Sequence, residues 1–332
     1  MKDSLASYLK AVCSDVSDDL ISTDCCDRFC GIAQYFPQSI VSIFGWESSL
    51  LDIKPQVDFF FCLNHRPEVK QWLSQALKSE EQKLLPEAIK NEPLWQKIGT
   101  FVESWQDSES PIAQVEDIWL EFDYFDCSSK SIPSPCFFFS AEHLDASSDY
   151  QWWLENTLGK LSDRKISTST KVLQKCFEKM PLGVEPFQLG ILFPREEQLR
   201  LYLTFVSYQQ LLDYLPEIGW QEDLQLLEHL LQQFAPLTSN FQLQIEVDKK
   251  LSEEIAIELY PLDRQCSQQI LTHLTNIGFC LPEKRTALLN YDGVSTVYVN
   301  NQKKQLRREL RYLKMTYRPG KPILFKAYII AY

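Results

Sequence analysis

The sequence LKMTYRPGKPILFKAYIIAY, residues 313–332, predicts a β-hairpin folded around a turn at 318–321. Successive side chains of a strand point to opposite faces of its sheet. One face of this hairpin is therefore apolar, whereas the other carries Lys314, Thr316, Lys326 and Tyr328. These polar side chains either meet water on an open sheet or line an enclosed space. The pattern of the other strands and helices is needed to compare these two arrangements.

The same alternation occurs in three earlier hairpins, and each hairpin follows amphipathic helices. The hairpins are predicted at 115–140, 186–205 and 240–261, and a weaker pair of strands at 39–46 and 55–63. Helices are predicted at 67–77, 93–105, 150–161, 170–180, 208–220, 223–234, 263–278 and 282–291. Apolar residues recur at helical spacing in these helices and at every second position in the strands. The chain thus repeats one unit, a pair of helices followed by an antiparallel hairpin.

The earlier hairpins also have one polar face each. Those faces carry Trp119, Glu121, Asp123, Phe125, Gln188, Arg200, Tyr202, Thr204, Gln242, Gln244, Glu246 and Glu258. Amphipathic helices need an apolar surface to cover, so we expect them on the apolar side of the sheet. An open sheet of about ten strands would expose two edges, whereas a closed barrel has none. Periodicity alone leaves both arrangements open: a barrel with a polar lumen, or an open sheet with one solvated face.

Bulk composition narrows the function classes. The net charge of −12 and the pI near 4.9 argue against generic binding to nucleic acid, which relies on lysine and arginine. No run of about 18 apolar residues is present, so we expect no transmembrane helix, and residues 1–19 are too polar and acidic for a signal peptide. We expect one helix-wrapped domain at 39–332 after a helical or partly ordered cap at 1–38. The corresponding expectation is a cytoplasmic monomer with neither a nucleic-acid nor a membrane partner.

The ten cysteines are expected to be reduced thiols, because the sequence shows no secretion signal. Cys25, Cys26 and Cys30 lie close together, but they lack the paired spacing of a zinc site, and the four histidines are scattered. No phosphate-binding glycine loop and no serine–histidine–acid arrangement is apparent either. We therefore predict no metal site.

The repeated order of helix pairs and hairpins, with a polar inner face, resembles the aromatic prenyltransferases of the ABBA type. The resemblance covers about residues 39–332 and rests on topology and strand pattern rather than on a diagnostic motif. Two triplets, Arg200-Leu201-Tyr202 and Lys326-Ala327-Tyr328, have the basic-x-tyrosine form with which that family binds a prenyl diphosphate. It implies an α+β fold, an antiparallel β-barrel of about ten strands surrounded by α-helices. It also implies transfer of a prenyl group, as in secondary metabolism. The donor is an allylic diphosphate co-substrate, the acceptor is an aromatic small molecule or a peptide, and no cofactor is required.

The resemblance further implies roles for individual residues. The substrate-binding residues are Arg200, Lys314 and Lys326 for the diphosphate, Tyr202 and Tyr328 for the allylic cation, and Glu258. Either Glu121 or Asp123 is expected to orient the acceptor as the catalytic carboxylate. Fixed cations in a water-poor lumen stabilise the charge of a leaving diphosphate, and tyrosine rings attract a cation through their faces.

Some features depart from this family. The strand at 136–139 lacks the arginine or lysine expected there, and the predicted inner face carries about three cations against about four carboxylates. A lone buried charge costs several kcal/mol, so the lumen is expected to be ion-paired, wet or occupied. Two alternatives stay open: a non-catalytic barrel that binds a small molecule or peptide, and an open-sheet interaction protein. The basic run Lys303, Lys304, Arg307, Arg308 and Arg311 is expected to be a solvated connection, or else a surface for an acidic partner.

Overall fold

Antiparallel strands and helices alternate along the chain. The computed structural model describes residues 3–78, 85–86, 92–124, 132–140, 156–161, 167–220 and 224–332. The strands are β1 (Val41–Ser49), β2 (Asp58–Asn64), β3 (Asp117–Phe122), β4 (Cys136–Ser140), β5 (Glu185–Leu192), β6 (Gln198–Phe205), β7 (Thr238–Val247), β8 (Leu251–Pro261), β9 (Gly293–Val299), β10 (Gln302–Tyr317) and β11 (Leu324–Ala331). The helices are α1 (Leu5–Ser14), α2 (Thr23–Ala33), α3 (Pro67–Lys78), α4 (Pro93–Gln106), α5 (Ser167–Glu178), α6 (Tyr208–Ile218), α7 (Leu224–Phe234), α8 (Arg264–Asn276) and α9 (Pro282–Leu289). Residues 156–161 are also helical, and the rest of the helix predicted at 150–161 lies outside the described residues.

Ten of these strands close into a barrel, because the first strand pairs with the last. β1 lies between β11 and β2, with Phe44 opposite Ala331 and Ser49 opposite Lys326. From β2 the order follows the chain to β8, and β10 joins β8 to β11. All of these pairings are antiparallel. Closure confirms the predicted barrel of about ten strands and excludes the open sheet.

The apolar core lies between the barrel and the helices. Leu120, Leu201 and Ile257 are at most 1% exposed on the outer side of their strands. Helices cover this side; Phe101 of α4, for example, packs edge-on against Phe137 of β4, with ring centroids 5.2 Å apart. Each such side chain contributes ~2 kcal/mol by leaving water. Because burial of these outward positions fixes the strand register, the alternate side chains are directed into the lumen.

Helices between the hairpins begin and end at residues suited to those positions. Ser207 caps α6 by accepting a hydrogen bond from the Gln210 N–H, and Asp263 caps α8 in the same way. Each N-cap stabilises its helix by ~1 kcal/mol. α6 ends at Gly219, whose φ of 96° lies in the left-handed region that favours glycine. In the described part of the chain, no helix combines the length and the apolarity needed to cross a membrane.

The basic run at 303–311 is not a solvated connection but belongs to β10, which pairs there with an unexpected strand, β9. The turn between them is Asn300-Asn301, with φ of 50° and 62°, as in the two-residue hairpin turns that favour asparagine. Alternation along β10 buries Arg308, which donates to the Asp15 carbonyl at 2.9 Å, and leaves Arg307 exposed. The expectation was wrong because the dense charges of this run obscure its period of two.

The N-terminal segment is helical in α1 and α2. These helices pack against each other, and α1 also contacts β9. Phe29 of α2 stacks on Phe59 of β2, with ring centroids 5.1 Å apart, so the segment covers part of the barrel wall. The division of the chain into a cap at 1–38 and a barrel domain at 39–332 stays a prediction.

Candidate functional site in the barrel lumen

Two adjoining cavities occupy the lumen. The first, of about 150 Å³, is lined mainly by charged side chains: Glu47, Asp58, Glu121, Arg195, Arg200, Glu246, Glu254, Lys314 and Lys326. The second, of about 130 Å³, is lined mainly by aromatic rings: Phe60, Trp119, Phe138, Phe187, Tyr202, Tyr260, Tyr312 and Tyr328. We call them the ionic cavity and the aromatic cavity. Glu121 lines both, and therefore marks the point where they meet.

Glu47 is the centre of one charge cluster in the ionic cavity. The Lys314 ammonium donates to Glu47 Oε2 at 2.7 Å and to the Tyr328 hydroxyl at 2.9 Å. Lys326 forms an ion pair with Glu47 Oε1, and the Tyr328 hydroxyl donates to Glu47 Oε2. Strand register creates this cluster, since Glu47 lies opposite Tyr328 and Lys326 lies opposite Lys314. Although burial alone favours the protonated acid, Lys314 and Lys326 hold the pKa of Glu47 well below its usual range.

Two arginines form a second charge cluster. Arg200 Nη2 donates to Glu246 Oε1 at 2.6 Å, because the β6–β7 pairing places these residues opposite each other. Arg195 lies in the turn between β5 and β6, with Nη1 3.6 Å from Glu246 Oε1 and Nη2 3.2 Å from Asp123 Oδ1. Each cation that lines the ionic cavity is therefore paired with a carboxylate among the described residues.

Three other carboxyl groups of the lumen have raised pKa values. Burial, reinforced by the charge of Glu47, raises the pKa of Glu121 to about 7. Burial also raises the pKa of Glu258 to about 7 and that of Asp58 to about 6. When these three acids lose their protons, the charge of the lumen falls by three units. The lumen thus becomes more negative as the pH rises through this range.

The aromatic cavity suits a small apolar or aromatic group. Tyr312 stacks on Tyr328 with ring centroids 4.3 Å apart, and Phe138 meets Tyr202 edge-on at 5.9 Å. A cavity of roughly 150 Å³ holds benzene, so the volume of about 130 Å³ fits a group of about five carbon atoms. Gly190 makes room for the Phe138 ring, because a Cβ at this position would lie 2.2 Å from it.

Both cavities contain buried polar atoms without a hydrogen-bond partner among the described residues. They are Trp119 Nε1 and Glu258 Oε1 in the aromatic cavity, and Arg200 Nε and Gln244 Oε1 in the ionic cavity. An unsatisfied buried polar atom costs ~1–3 kcal/mol, and native proteins contain few of them. These donors and acceptors are available to a polar ligand.

One group of side chains has the spacing of a metal site. A carboxylate oxygen of Glu121, one of Asp123 and the Cys136 sulfur all lie within 4.8 Å of one another. Arg195 already pairs with Asp123, however, and burial raises the pKa of the Cys136 thiol, so this site favours neither an added cation nor a thiolate. The three cysteines of α2 are buried free thiols, and no metal-ligand group was found there within the described ranges.

The structure brings most of the predicted site residues into the lumen. The predicted residues that line a cavity are Glu121, Arg200, Tyr202, Glu258, Lys314, Lys326 and Tyr328. Asp123 instead follows the end of β3 and pairs with Arg195. The roles assigned to all of these residues stay predictions.

Sequence reasoning missed four charged residues of the ionic cavity: Glu47, Asp58, Arg195 and Glu254. The first two belong to β1 and β2, whose sequence pattern was too weak to assign faces. The strand predicted at 39–46 ends one residue before Glu47, although Trp46 is buried on the outer side and alternation would place Glu47 inside. Arg195 lies in a turn, where no periodicity indicates the direction of a side chain.

Comparisons with known proteins agree with this architecture. No protein-family model matches the sequence, and no curated protein matches it. Among solved structures, the chain is similar to the apo form of the prenyltransferase PriB, with a TM-score of 0.57 and 12% identity over 98% of this chain and 94% of that chain.

Two ligand complexes of PriB match over the same shares of both chains. One, with product diphosphate, has a TM-score of 0.56 at 12% identity. The other, with L-tryptophan and dimethylallyl thiolodiphosphate, has a TM-score of 0.55 at 11% identity. A likeness at this identity shows the fold, which is the helix-wrapped barrel of the ABBA-type prenyltransferases. The resemblance expected from the sequence is confirmed at this level.

Proposed function

We propose that this protein transfers a prenyl group from an allylic diphosphate to an aromatic or peptide acceptor inside the barrel lumen. The observation that carries the proposal is the meeting of an ionic cavity and an aromatic cavity at Glu121. A diphosphate needs fixed cations, whereas a prenyl chain and an aromatic acceptor need a space lined by apolar groups. The likeness of the fold to a prenyltransferase supports the same function.

In the proposed complex, Arg200, Lys314 and Lys326 hold the diphosphate. An ammonium has three N–H donors, so each lysine can keep its bond to Glu47 while it donates to a phosphate oxygen. Glu47 then acts as a positioning residue that fixes the two ammonium groups side by side. The unpartnered Nε of Arg200 supplies a further donor. These fixed charges would stabilise the negative charge that develops on the leaving diphosphate.

The proposed transfer breaks the bond between C1 of the allylic group and its diphosphate oxygen, which keeps the electron pair. Tyr202 and Tyr328 shield the resulting allylic cation with their ring faces. The acceptor forms the new bond to C1 with an electron pair of its own and then loses one proton. The released diphosphate can take up this proton, and Glu121, where the two cavities meet, can orient the acceptor. Asp123 is the other candidate for this role, and Glu258 offers a further contact to the acceptor.

We propose further that the transfer requires no metal ion. The lumen cations supply the charge stabilisation that Mg²⁺ supplies elsewhere, and Arg195 disfavours a second cation beside Glu121 and Asp123. The described cysteines are free thiols, which supports the proposal that the protein works in the reducing cytoplasm, and we propose that it is a monomer. Its partners would be a small molecule or a peptide rather than nucleic acid or a membrane.

Calorimetric titration with dimethylallyl and geranyl diphosphate, in the presence of EDTA, tests this proposal. Wild type should bind saturably, and the double variant Lys314→Ala/Lys326→Ala should lose binding. Lys303→Ala is the matched control, because Lys303 is exposed outside the lumen and its variant should bind like wild type. The absence of both binding heat and thermal stabilisation in wild type would exclude prenyl transfer. Binding that appears only after Mg²⁺ is added would exclude the metal-independent reaction.

A specific observation also favours the second candidate, a non-catalytic barrel that binds a small molecule or peptide. The cations of the ionic cavity are already paired with carboxylates, so a diphosphate must share them. Mass spectrometry of reactions with aromatic and peptide acceptors separates the two functions. Saturable diphosphate binding without prenylated product across such a screen would favour the non-catalytic barrel.

A further inference from the structure

The hairpin of β9 and β10 extends beyond the closed ring of strands and presents an open sheet edge. β9 pairs with β10 and with no other described strand, so it ends the sheet. Its inner face, with Ser295, Val297 and Val299, is buried, and α1 contacts the strand. Its outer face is accessible, since Val294 is 54% and Tyr298 is 67% exposed.

The register identifies the backbone groups of β9 that face this edge. Arg307 of β10 exchanges two backbone hydrogen bonds with Tyr332, at 2.9 and 3.1 Å, and thus directs its N–H and C=O away from β9. Val294 lies opposite Arg307, so its own N–H and C=O point away from β10. Thr296 and Tyr298 follow at a period of two and point the same way. No other backbone partner of these three residues occurs in the described part of the chain.

This edge lacks the features by which proteins usually prevent strand addition. Edge strands are commonly protected by a charged residue, a proline or a bulge. β9, with the sequence GVSTVYV, has neither a charged residue nor a proline, and its pairing with β10 has no bulge. Its β-branched and aromatic residues favour the extended conformation. The edge is therefore straight, preformed and open to another strand.

Charges beside the edge favour an acidic partner. The exposed residues of β9 have Lys303, Gln305 and Arg307 as their cross-strand neighbours. Lys303 and Arg307 are exposed on this face, and Arg307 Nε lies 3.7 Å from Glu309 Oε2, in a chain whose net charge is −12. A strand added to β9 would lie two strand spacings, ~10 Å, from these cations, which is about one Debye length, so they favour an acidic segment.

We infer that the free edge of β9 binds an extended acidic peptide by strand addition. The peptide backbone pairs with Val294, Thr296 and Tyr298, and its acidic side chains lie on the same face of the sheet as Lys303 and Arg307. The main-chain hydrogen bonds supply affinity, and the charges select the partner. This inference does not rest on the proposed function, because the edge lies outside the lumen.

Fluorescence anisotropy with a labelled peptide, Glu-Val-Glu-Val-Glu-Val-Glu, tests the inference, with the lysine counterpart as the negative probe. Thr296→Pro removes an edge N–H and blocks strand addition without removing a bond to β10. Thr296→Val keeps this N–H and is the matched control. We expect wild type and Thr296→Val to bind the acidic peptide at low salt, and Thr296→Pro to bind it about tenfold more weakly. The double variant Lys303→Glu/Arg307→Glu should also lose affinity.

Several results would overturn the inference. Wild type would contradict it by failing to bind the acidic peptide, or by binding the acidic and basic peptides equally well. Equal affinity of Thr296→Pro and Thr296→Val for the acidic peptide would also refute strand addition. Analytical ultracentrifugation tests whether a second copy of this chain occupies the edge instead of a peptide. A wild-type dimer that becomes monomeric in Thr296→Pro would show this and would contradict peptide binding. If Thr296→Pro does not fold, hydrogen exchange of wild type with and without the peptide shows whether the peptide adds to the edge of β9. The peptide must slow exchange at the amides of Val294, Thr296 and Tyr298, and unchanged exchange would refute strand addition.

Discussion

Glu121→Gln should change how diphosphate binding depends on pH. Glu121 is buried where the two cavities meet, and burial, together with the charge of Glu47, raises its pKa to about 7. Diphosphate in the ionic cavity adds negative charge beside this carboxyl and favours its protonated form. Binding is therefore tighter at low pH, where Glu121 already carries the proton, and weaker at high pH, where a proton must be taken up. Glutamine has no such proton, so the variant loses this part of the pH dependence.

The size of the effect follows from the pKa. A carboxyl with a pKa of about 7 is about 9% protonated at pH 8 and about 91% at pH 6. A unit charge about 5 Å away, at an effective dielectric constant of ~20, contributes ~3 kcal/mol and raises that pKa by about 2. Wild type should then take up about 0.8 proton at Glu121 per diphosphate at pH 8, and gain about tenfold in affinity between pH 8 and pH 6. Glu121→Gln should bind about tenfold more tightly than wild type at pH 8 and equally at pH 6.

Calorimetry in two buffers of different ionisation enthalpy measures the proton uptake directly. Protonation of dimethylallyl diphosphate itself contributes equally to wild type and variant, so their difference belongs to Glu121. Glu254→Gln is the matched control, because Glu254 lines the same cavity but is exposed to solvent. Equal proton uptake by wild type and Glu121→Gln would refute this reasoning. A variant that binds no more tightly than wild type at pH 8 would refute it as well.

Three further predictions concern stability and cavity size. Glu47→Gln should lower the free energy of unfolding by about 3–5 kcal/mol, because it removes the counter-charge of two lysine ammonium groups; a loss below about 1 kcal/mol in urea denaturation would contradict this. Gly45→Ala should lower the free energy of unfolding by about 1–3 kcal/mol in the same assay, because its Cβ would lie 2.2 Å from a backbone oxygen of β11. Gly31→Ala is the control and should leave the free energy of unfolding unchanged, because its Cβ would meet no atom within 4 Å. Phe138→Ala enlarges the aromatic cavity and should shift the calorimetric preference from dimethylallyl towards geranyl diphosphate by about tenfold; an unchanged preference would exclude Phe138 as a wall of the prenyl site.

For most strand residues, the amino-acid pattern alone predicts which side of the sheet they face. Alternation has a period of two and is a local property, so the hairpins at 186–205, 240–261 and 313–332 could be assigned without knowledge of their neighbours. For the same reason Arg200, Tyr202, Glu258, Lys314 and Tyr328 were all placed correctly on the inner face. The repeated helix pairs, each with an apolar stripe, likewise predicted helices on the outer side. The weak pattern of β1 and β2 and the charged run at the start of β10 mark where this local reasoning failed.

The closure of the barrel and the pairing of charges in its lumen could not be predicted from local patterns. The pairing of β1 with β11 joins distant parts of the chain, and no local pattern specifies it. That pairing brings Glu47 to Lys314, 267 positions away, and places a carboxylate between the two lysines expected to hold the diphosphate. The raised pKa of Glu121 has the same origin, because burial and the charge of Glu47 arise only once the strands have met. Sequence periodicity specifies the direction of a side chain, whereas electrostatics depends on distances between strands that only the closed barrel sets.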